Sequence, residues 1–329
     1  MANRDVSSRP HEKNGPSVVI FGRQAELSLT VLKAVAERYP VVGVIESQFR
    51  GYRAPQAWQR WLSRPSPAQD IERFAREHAI PFFVMVPERL DGLAAFIRRV
   101  QPAVGVIAKM VQLLPMEIVS LFPLGIINVH PSLLPRYRGP IPVFWTLYHQ
   151  ETVSGLTIHL VDKGEDTGDI LKQKELPLSF AESAEEFSRR YTAEAPALVL
   201  EALEDLAGGT AVRRSQRMLP CPFRARFLKP NEDPIDWSEW SVERIYQVLR
   251  GADSILDLLP QRPFPLSLCE WRVVGFDRRP SSFPGRKIVI GFSGCYIPRR
   301  DGRIFLKPRF SLWQFRCGLK DFVSRRRAR

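Results

Sequence analysis

The sequence predicts an α/β fold, in which a Rossmann-like, mostly parallel sheet is followed by a smaller β-rich domain. The first observation is that short apolar runs alternate with stretches of helical periodicity as far as Leu206. The second is a set of short strand-like segments separated by turns after residue 265. A chain of 329 residues is long enough to form two domains with separate cores.

The first domain is predicted to alternate strands and helices. Only Gly22 follows the first strand, so the GxGxxG nucleotide fingerprint is absent, which argues against a dehydrogenase. The long amphipathic segment 183–206 predicts a helix that closes this domain, and Gly208 with Gly209 is its stop signal. The preceding predicted elements are strand 17–21, helix 26–38, strand 41–45, helix 70–78, strand 81–84, helix 91–99, strand 103–107, strand 125–130, a helix that begins within 140–148, and strand 155–161.

The second domain is predicted from a helix at 242–250 and strands at 266–275, 286–291 and 303–307, which together indicate a small, open, OB-like barrel. Prolines and basic residues before this helix indicate a linker. The sequence therefore divides into a disordered N-terminus (1–16), a first domain (17–207), a linker (208–230), a β-rich domain (231–315) and a basic tail (316–329).

The composition indicates a soluble protein of the cytoplasm. Hydrophobic residues make up 44% of the chain, yet no apolar run approaches the length of a membrane span. The polar N-terminus lacks the apolar core of a signal peptide. The four cysteines match no zinc-binding spacing, so we expect free thiols and no metal site. A disulfide pair remains the alternative.

The net charge of +13 is concentrated near the C-terminus. From Phe276 to Arg329 there are 15 lysines and arginines against three acidic residues, and such a stretch can meet nucleic acid, an acidic lipid surface or a phosphorylated substrate. For the last five residues we favour a solvated chain end. A second basic region, 47–68, interleaves arginines with aromatic residues, which suits stacking on a nucleic acid or nucleotide. The alternative there is a helix-containing loop that packs its tryptophans.

Candidate catalytic residues follow two strands of the first domain. Asn128 and His130 lie two positions apart in the apolar strand 125–130, so both face the same side of it. Further along, strand 155–161 runs into the acidic loop 162–169, which can bring a carboxylate to the same cleft. An amide, an imidazole and a carboxylate suit acyl transfer to an amine, because they can stabilise an oxyanion and accept a proton. The alternative is a strand end whose polar side chains are merely satisfied.

Three motifs carry a resemblance to a known family. The sequence reads Asn-x-His-Pro-Ser-Leu-Leu-Pro at 128–135, Tyr-Arg-Gly at 137–139 and Asp-Thr-Gly-Asp at 166–169. This combination resembles the formyltransferases that use 10-formyltetrahydrofolate, over residues 17–206 and, more weakly, 228–251. The resemblance implies direct formyl transfer to a neutral amine, with no covalent enzyme intermediate and no metal.

The resemblance also implies which residues carry the reaction. Asn128 and His130 would stabilise the oxyanion, and Asp166 would take up the amine proton and keep His130 protonated. For the loop 109–115 the alternative to a folate contact is a plain helix start. The residues that the resemblance places near the folate are Met110, Leu113, Leu114, Ser132, Leu133, Leu134, Pro135 and Asp162.

The amine acceptor is predicted from a departure from the family pattern. The Pro-x-Pro-x-Phe-Trp run at 140–145 is similar to relatives that formylate sugars or other small amines. We therefore predict a small amine, such as a nucleotide-linked amino sugar, with Arg138, Phe144 and Trp145 on the acceptor side. The alternatives are initiator methionyl-tRNA, which the basic C-terminal region favours, a formyl-folate hydrolase, and a catalytically silent binding protein. Three histidines are expected to be surface or structural residues: His78, His149 and His159.

Overall fold

The computed structural model describes residues 14–49, 70–87, 90–217, 219–229, 232–252, 258–259, 269–281, 284–291 and 294–310. The predicted basic tail, 316–329, lies outside these residues, as do all but 14–16 of the predicted disordered N-terminus and all but 47–49 of the basic region 47–68. The described chain folds into two compact units. The first is drawn from Met1–Pro140, Gly155–Leu176 and Arg190–Arg224, and the second from Ile141–Ser154, Pro177–Arg189 and Ala225–Arg329.

Seven strands of the described chain form one sheet. They are β1 (Val18–Gly22), β2 (Val41–Ser47), β3 (Phe82–Met85), β4 (Val104–Ala108), β5 (Ile126–His130), β6 (Val153–Leu160) and β7 (Ile170–Pro177). Their order is β3-β2-β1-β4-β5-β6-β7. The strands from β3 to β5 pair in parallel, and β6 is antiparallel to β5. This confirms the predicted α/β fold with a mostly parallel sheet.

The helices of this part of the chain lie close to their predicted positions. They are α1 (Glu26–Arg38), α2 (Ile71–Glu77), α3 (Leu90–Val100), α4 (Met116–Val119), α5 (Pro142–Tyr148) and α6 (Ala184–Gly208). The bounds of α1 equal the prediction, because its apolar residues recur on the one face that is buried. The short helix α4 was expected only as the alternative to a folate-binding loop.

The core of the first unit explains why β1 is apolar throughout. All five residues of β1 are buried, because a central parallel strand is covered on both faces. Phe21 packs against Phe122, with ring centroids 5.9 Å apart, and both belong to one apolar cluster with Ile45, Leu93 and Ile126. The cluster also includes Ile107 of β4 and thus anchors β4 and the start of β5, the strand on which the candidate site is found.

The edge strand β7 was not predicted. Its middle residues, from Leu171 to Glu175, are half-buried or exposed, and most of them are charged or polar. An edge strand buries less of each face than a central strand, so its sequence lacks a clear apolar alternation. The strand therefore gave no recognisable signal.

Helix α6 begins with a capping box, and its residues after Arg189 belong to the first unit. The Ser183 amide donates to Glu186 Oε2 at 2.8 Å, and the Glu186 amide donates to Ser183 Oγ at 3.1 Å. The helix extends over 25 residues, and its buried face alternates with charged positions. No helix in the described ranges is long and apolar enough to cross a membrane.

The second unit contains a separate antiparallel sheet, which confirms a β domain at the C-terminus. Its elements are helix α7 (Val242–Ala252) and strands β8 (Cys269–Asp277), β9 (Val289–Gly291), β10 (Gly294–Pro298) and β11 (Arg303–Phe310). The described strands are ordered β8-β11-β10-β9. Strand β10 was not predicted, because it is short and is bounded by a glycine and a proline. Cys221 and Cys295 are free thiols.

The segment interpreted as a linker, 208–230, contributes to the first unit as far as Arg224. Arg214 and Ile170 exchange two backbone hydrogen bonds, each 2.9 Å long. The Tyr137 amide donates to the Phe223 carbonyl oxygen at 2.8 Å. The part of this segment before Arg224 is therefore held against the sheet and against the turn that follows β5.

Candidate active site

The candidate site is built on the paired strands β5 and β6. In this antiparallel pair Asn128 lies opposite His159, and His130 lies opposite Thr157. On its other side β5 is bonded to β4, so it is held on both edges. Alternation along β5 places Asn128 and His130 on the same face, as the sequence predicted.

Asp166 joins the two side chains of β5. Its Oδ1 accepts a hydrogen bond from the Asn128 amide at 3.2 Å, and its Oδ2 lies 3.5 Å from Nδ1 of His130. The backbone amide of Gly139 also donates to Oδ2, at 2.9 Å. The structure thus brings together the three residues that we predict to be catalytic.

His159 is a fourth member of this group, which we call the polar cluster (Asn128, His130, His159 and Asp166). Its side chain is 2% exposed, and its Nε2 lies 3.1 Å from Nδ2 of Asn128 and 3.5 Å from Oδ1 of Asp166. Its Nδ1 lies 2.8 Å from the Leu160 carbonyl oxygen, so Nδ1 carries the proton and Nε2 accepts from Asn128. Of the two positions expected for His159, at the surface or in a structural role, the structure excludes the surface position. The signal that would have revealed it is the register of β6 on β5.

Burial and hydrogen bonding together determine the protonation of the polar cluster. Burial alone would raise the pKa of Asp166, but its interaction with His130 and the hydrogen bond from Gly139 hold that pKa well below its usual range. Burial lowers the pKa of His130, and the Asp166 carboxylate opposes that shift. His130 Nε2 donates to the Tyr137 carbonyl oxygen at 3.0 Å. Asp166 is therefore ionised at neutral pH, and both ring nitrogens of His130 face protein oxygens.

The acidic loop holds Asp166 in an uncommon backbone conformation. Its φ is +55°, in the left-handed region that residues other than glycine seldom adopt. At Gly168 an added Cβ would lie 1.9 Å from the Leu160 carbonyl oxygen, so only glycine allows the loop to approach β6 this closely. The loop is thus shaped to direct one carboxylate at the end of β5.

Asp162 shapes the same loop. Its Oδ1 accepts hydrogen bonds from the Gly164 amide at 3.0 Å and from Thr167 Oγ1 at 2.6 Å. These bonds account for one of its two carboxylate oxygens, and its contact with folate stays a prediction. Within the described ranges, no group of three or more His, Cys, Asp or Glu side chains is arranged to hold a metal ion.

The motif residues after β5 form a buried turn. Ser132 is fully buried, and its Oγ donates to a backbone carbonyl within the turn at 2.8 Å. Leu134 is also buried, and its amide donates to Thr157 Oγ1 at 3.2 Å. Leu133 and Pro135 are half-buried. The polar atoms of this turn are largely used within the protein, and the predicted folate contacts of all four residues stay predictions.

The loop after β4 begins beside β5, because Ile107 of β4 is the register partner of Asn128, and it then reaches Ser47 at the end of β2 through the Val111 amide at 3.3 Å. Leu113 is 66% exposed, whereas Met110 is half-buried and packs against the apolar core of the first unit. An accessible apolar side chain such as Leu113 fits a flat heteroaromatic ring. Leu114 is different, because its side chain packs into the apolar core of the first unit. Its predicted contact with folate gains no support.

The three residues predicted to contact the amine acceptor pack or form hydrogen bonds within the protein. Phe144 and Trp145 are buried in the second unit, and Trp145 Nε1 donates to the Arg226 carbonyl oxygen at 2.7 Å. Arg138 belongs to the first unit, where its guanidinium donates to Gln216 Oε1 at 3.1 and 2.9 Å. Local packing and hydrogen bonding therefore account for all three, and their contact with an acceptor stays a prediction.

Sequence reasoning missed three groups that contact the predicted catalytic residues. They are the backbone amide of Gly139, the carbonyl of Tyr137 and the side chain of Gln216. Gln216 Nε2 donates to the carbonyl oxygens of Asp166 at 3.2 Å and of Gly168 at 2.6 Å. The motif at 137–139 includes Tyr137 and Gly139, but a backbone group carries no side-chain signature, so the motif did not reveal these contacts. Gln216 lies in a segment interpreted as a linker, and the sequence offered no signal for it.

Comparison with known proteins identifies the family. Residues 55–203 match the family described as formyl transferase. The methionyl-tRNA formyltransferase of Syntrophus aciditrophicus is 33% identical over 234 residues, which cover 71% of this chain and 72% of that protein. The methionyl-tRNA formyltransferase of Geobacter sulfurreducens is 32% identical over 300 residues, which cover 88% of this chain and 87% of that protein.

Two solved structures are similar in fold. HypX from Aquifex aeolicus in complex with tetrahydrofolic acid has a TM-score of 0.60 at 16% identity, covering 88% of this chain and 43% of that one. Glycinamide ribonucleotide transformylase 1 from Symbiobacterium toebii has a TM-score of 0.51 at 24% identity, covering 66% of this chain and 99% of that one. At such identities the likeness concerns the fold alone. The sequence similarity to the two formyltransferases, over most of their length, shows that the chain belongs to the family of 10-formyltetrahydrofolate-dependent formyltransferases.

Proposed function

We propose that the protein transfers the formyl group of 10-formyltetrahydrofolate to the amino group of methionyl-tRNA. The observation that carries this acceptor is the similarity to methionyl-tRNA formyltransferases, at 32% identity over 88% of the chain. The small-amine acceptor that we predicted from residues 140–145 finds no such support. The buried positions of Phe144 and Trp145 add none, because these side chains are occupied by packing.

Asp166 serves as the base in this proposal. When the amine attacks, a bond forms between its nitrogen and the formyl carbon, the bond from that carbon to the folate nitrogen breaks, and one proton passes from the amine to the released folate nitrogen. The ionised Asp166 carboxylate accepts that proton from the attacking nitrogen. His130 Nδ1, 3.5 Å from Oδ2, lies where it can receive or return it.

Asn128 supplies the hydrogen-bond donor for the oxyanion. Its amide nitrogen contacts both Asp166 and His159 in the described conformation. When an acceptor amine donates to Asp166 Oδ1, the Asn128 amide is released from that oxygen and can turn one N–H towards the formyl oxygen. An amide held on a rigid strand provides this donor with little reorganisation. His130 contributes to the oxyanion only in its protonated form, which burial disfavours and Asp166 favours.

The charge of the C-terminal region suits a tRNA. From Phe276 to Arg329 there are 15 lysines and arginines against three acidic residues. Lysine and arginine contacts to phosphates release counterions, so they add affinity that depends strongly on salt. A tRNA acceptor also implies a cytoplasmic enzyme, as the sequence predicts.

The proposal is tested by following tetrahydrofolate release at a fixed concentration of 10-formyltetrahydrofolate. Methionyl-tRNA is compared with uncharged tRNA, nucleotide-linked amino sugars, free amino acids and buffer alone. We expect turnover with methionyl-tRNA only, and an apparent affinity that falls by about tenfold or more between about 50 and 200 mM salt. Uncharged tRNA is the matched control, because it offers the same phosphates without the amine.

Other outcomes would redirect the assignment. Turnover with a small amine and none with methionyl-tRNA would overturn the acceptor while leaving the family unchanged. Formate release in buffer alone, at the rate seen with every amine, would favour the hydrolase that the sequence analysis kept as an alternative. An affinity for methionyl-tRNA that does not change with salt would remove the basic C-terminal region from tRNA binding.

A further inference from the structure

Gln216 directs both ends of its side-chain amide at groups near the predicted catalytic carboxylate. The side chain is 1% exposed. Its Nε2 donates to the carbonyl oxygens of Gly168 at 2.6 Å and of Asp166 at 3.2 Å. The two N–H groups of the amide can therefore hold two carbonyl groups of the acidic loop, on either side of residue 167.

Arg138 fixes which way the Gln216 amide faces. Its Nε and Nη2 donate to Gln216 Oε1 at 3.1 and 2.9 Å, and Nη2 also donates to the Gln216 carbonyl oxygen at 3.1 Å. A guanidinium carries donors only, so the amide oxygen must face Arg138 and the amide nitrogen must face the loop. The orientation of Gln216 thus follows from the chemistry of its partner.

The contacts of Gln216 lie around the backbone of Asp166, which has an unfavourable conformation. Asp166 has a φ of +55°, and such a conformation persists where the surrounding structure holds it in place. The next residue after Arg138 is Gly139, whose amide donates to Asp166 Oδ2 at 2.9 Å. The segment of Arg138 and Gly139 therefore reaches Asp166 twice, directly at the carboxylate and through Gln216 at the backbone.

We propose that Gln216 is a positioning residue for formyl transfer. With Arg138 as its support, it clamps the backbone of residues 166 and 168, so that the Asp166 carboxylate faces Asn128 and His130. This inference rests on the proposed role of Asp166 as the base. It also gives Arg138 a function within the first unit, in place of the acceptor contact that the sequence suggested.

The test compares Gln216→Glu and Gln216→Ala with Ser215→Ala, an exposed neighbour of the same segment. Glu keeps the volume and the acceptor for Arg138 but loses the donors that face the two carbonyl oxygens. We expect kcat with methionyl-tRNA to fall by about 10²-fold in both Gln216 variants, because a misplaced base is costly. KM for both substrates should stay within about twofold, and Ser215→Ala should match the wild type.

The pH profile separates positioning from simple loss of structure. If Asp166 loses its bond to the Gly139 amide, its pKa rises towards the ordinary value. The acid limb of kcat against pH should therefore move to higher pH in Gln216→Ala, which adds no charge beside Asp166. A variant that is merely less folded would lower kcat at every pH without moving this limb.

A readout without any acceptor keeps the inference independent of the proposed substrate. In the unliganded protein, the Gly139 amide should exchange with solvent about tenfold faster or more in Gln216→Glu, while the amides of β1 keep their protection. Wild-type exchange at Gly139, or an equal loss of protection in β1, would overturn the clamp. If the wild type does not use methionyl-tRNA, the proposed function is wrong, but amide exchange at Gly139 still tests whether Gln216 clamps the loop.

A double-mutant cycle tests the proposed role of Arg138 as the support of Gln216. If Arg138 acts through Gln216, the losses in kcat for Arg138→Ala and Gln216→Ala should be far from additive. Additive losses, with a raised KM for methionyl-tRNA in Arg138→Ala alone, would overturn the shared clamp and return Arg138 to the acceptor side.

Discussion

Two groups of buried and half-buried side chains, one in each compact unit, use their polar atoms in different ways. In the polar cluster of the first unit, Asn128, His130 and His159 direct ring and amide nitrogens at the carboxylate of Asp166 or at one another. In the second unit, rings from α5 and from the segment before α7 form an aromatic cluster. Its members are Phe144, Trp145, Tyr148 and Trp240.

The polar groups of two aromatic-cluster side chains donate hydrogen bonds to backbone carbonyl oxygens. Trp145 Nε1 donates to the Arg226 carbonyl oxygen at 2.7 Å, and the Tyr148 hydroxyl donates to the Pro234 carbonyl oxygen at 3.0 Å. An indole N–H and a tyrosine hydroxyl both keep their protons at neutral pH, so these two donors stabilise the fold and exchange no proton. In the polar cluster, by contrast, titratable side chains face one another, so a proton can move between them. The comparison therefore assigns chemistry to the polar cluster and structure to the aromatic one.

Asp166→Asn tests the polar cluster, and its effect on turnover is expected to be the largest of the effects predicted. The substitution keeps the shape of the side chain but removes the base and the charge beside His130, so turnover should fall by about 10³-fold or more. The assay follows tetrahydrofolate release with methionyl-tRNA, and circular dichroism checks that the variant is folded. Substantial activity in a correctly folded variant would remove Asp166 from this role.

Phe144→Ala tests the aromatic cluster. Truncating a buried phenylalanine should lower the free energy of unfolding by about 3–5 kcal/mol, because a cavity remains. Turnover per folded molecule should be unchanged, and Phe144→Leu should lie between the variant and the wild type in stability. Urea unfolding gives the stability. A raised KM for methionyl-tRNA at unchanged stability would break the comparison and restore Phe144 to the acceptor side.

Leu113 and Leu114 are adjacent residues whose different burial allows a matched test. Leu114→Ala should cost about 2–5 kcal/mol of stability, because its side chain packs in the core. Leu113→Ala should change stability by no more than about 0.5 kcal/mol, because the side chain is 66% exposed, and should raise KM for 10-formyltetrahydrofolate. An unchanged KM for Leu113→Ala would exclude that side chain from the folate site.

His159→Leu tests whether a strand neighbour of Asn128 belongs to the working site. The change leaves one N–H of the Asn128 amide without its acceptor, so we expect kcat to fall by about tenfold. His78→Leu is the control, because His78 is exposed on α2's C-terminal side. Equal effects of the two changes on kcat would place His159 outside the reaction.

The smallest effect is expected in the acid dependence of stability. The pKa of Asp166 is lower in the folded protein than in the unfolded chain, so its contribution is present above about pH 4 and is lost as the pH falls through the folded value. Between about pH 5 and 3 the free energy of unfolding should therefore rise with pH less steeply in Asp166→Asn than in the wild type. Equal slopes in acid unfolding curves would show that the carboxylate gains nothing from its neighbours.

The sequence predicted the features of the fold and the site that depend on a local pattern of residues. Strands β1 and β4 are buried throughout, and β2 and β5 each begin with an apolar run, so the positions of all four could be read directly. The motif residues Asn128, His130 and Asp166 were predicted from a family resemblance, and the structure brings them within hydrogen-bonding or ion-pair distance.

Features that depend on partners distant in sequence could not be predicted in this way. His159 enters the polar cluster through the register of β6 on β5. Gln216 reaches Asp166 across 50 residues of sequence, and Trp145 finds its hydrogen-bond partner across 81. Phe144 and Trp145 were predicted as acceptor contacts because the run at 140–145 departs from the family pattern, whereas their burial is decided by the unit into which they pack.

The most direct test of the central claim is the transfer of an isotopically labelled formyl group from 10-formyltetrahydrofolate to methionyl-tRNA. The wild-type protein and Asp166→Asn are assayed side by side, and the aminoacyl group is released and identified by mass spectrometry. We predict labelled N-formylmethionine with the wild type and almost none with the variant. Label found in formate or in a small amine, with unformylated methionyl-tRNA recovered intact, would contradict the proposed function.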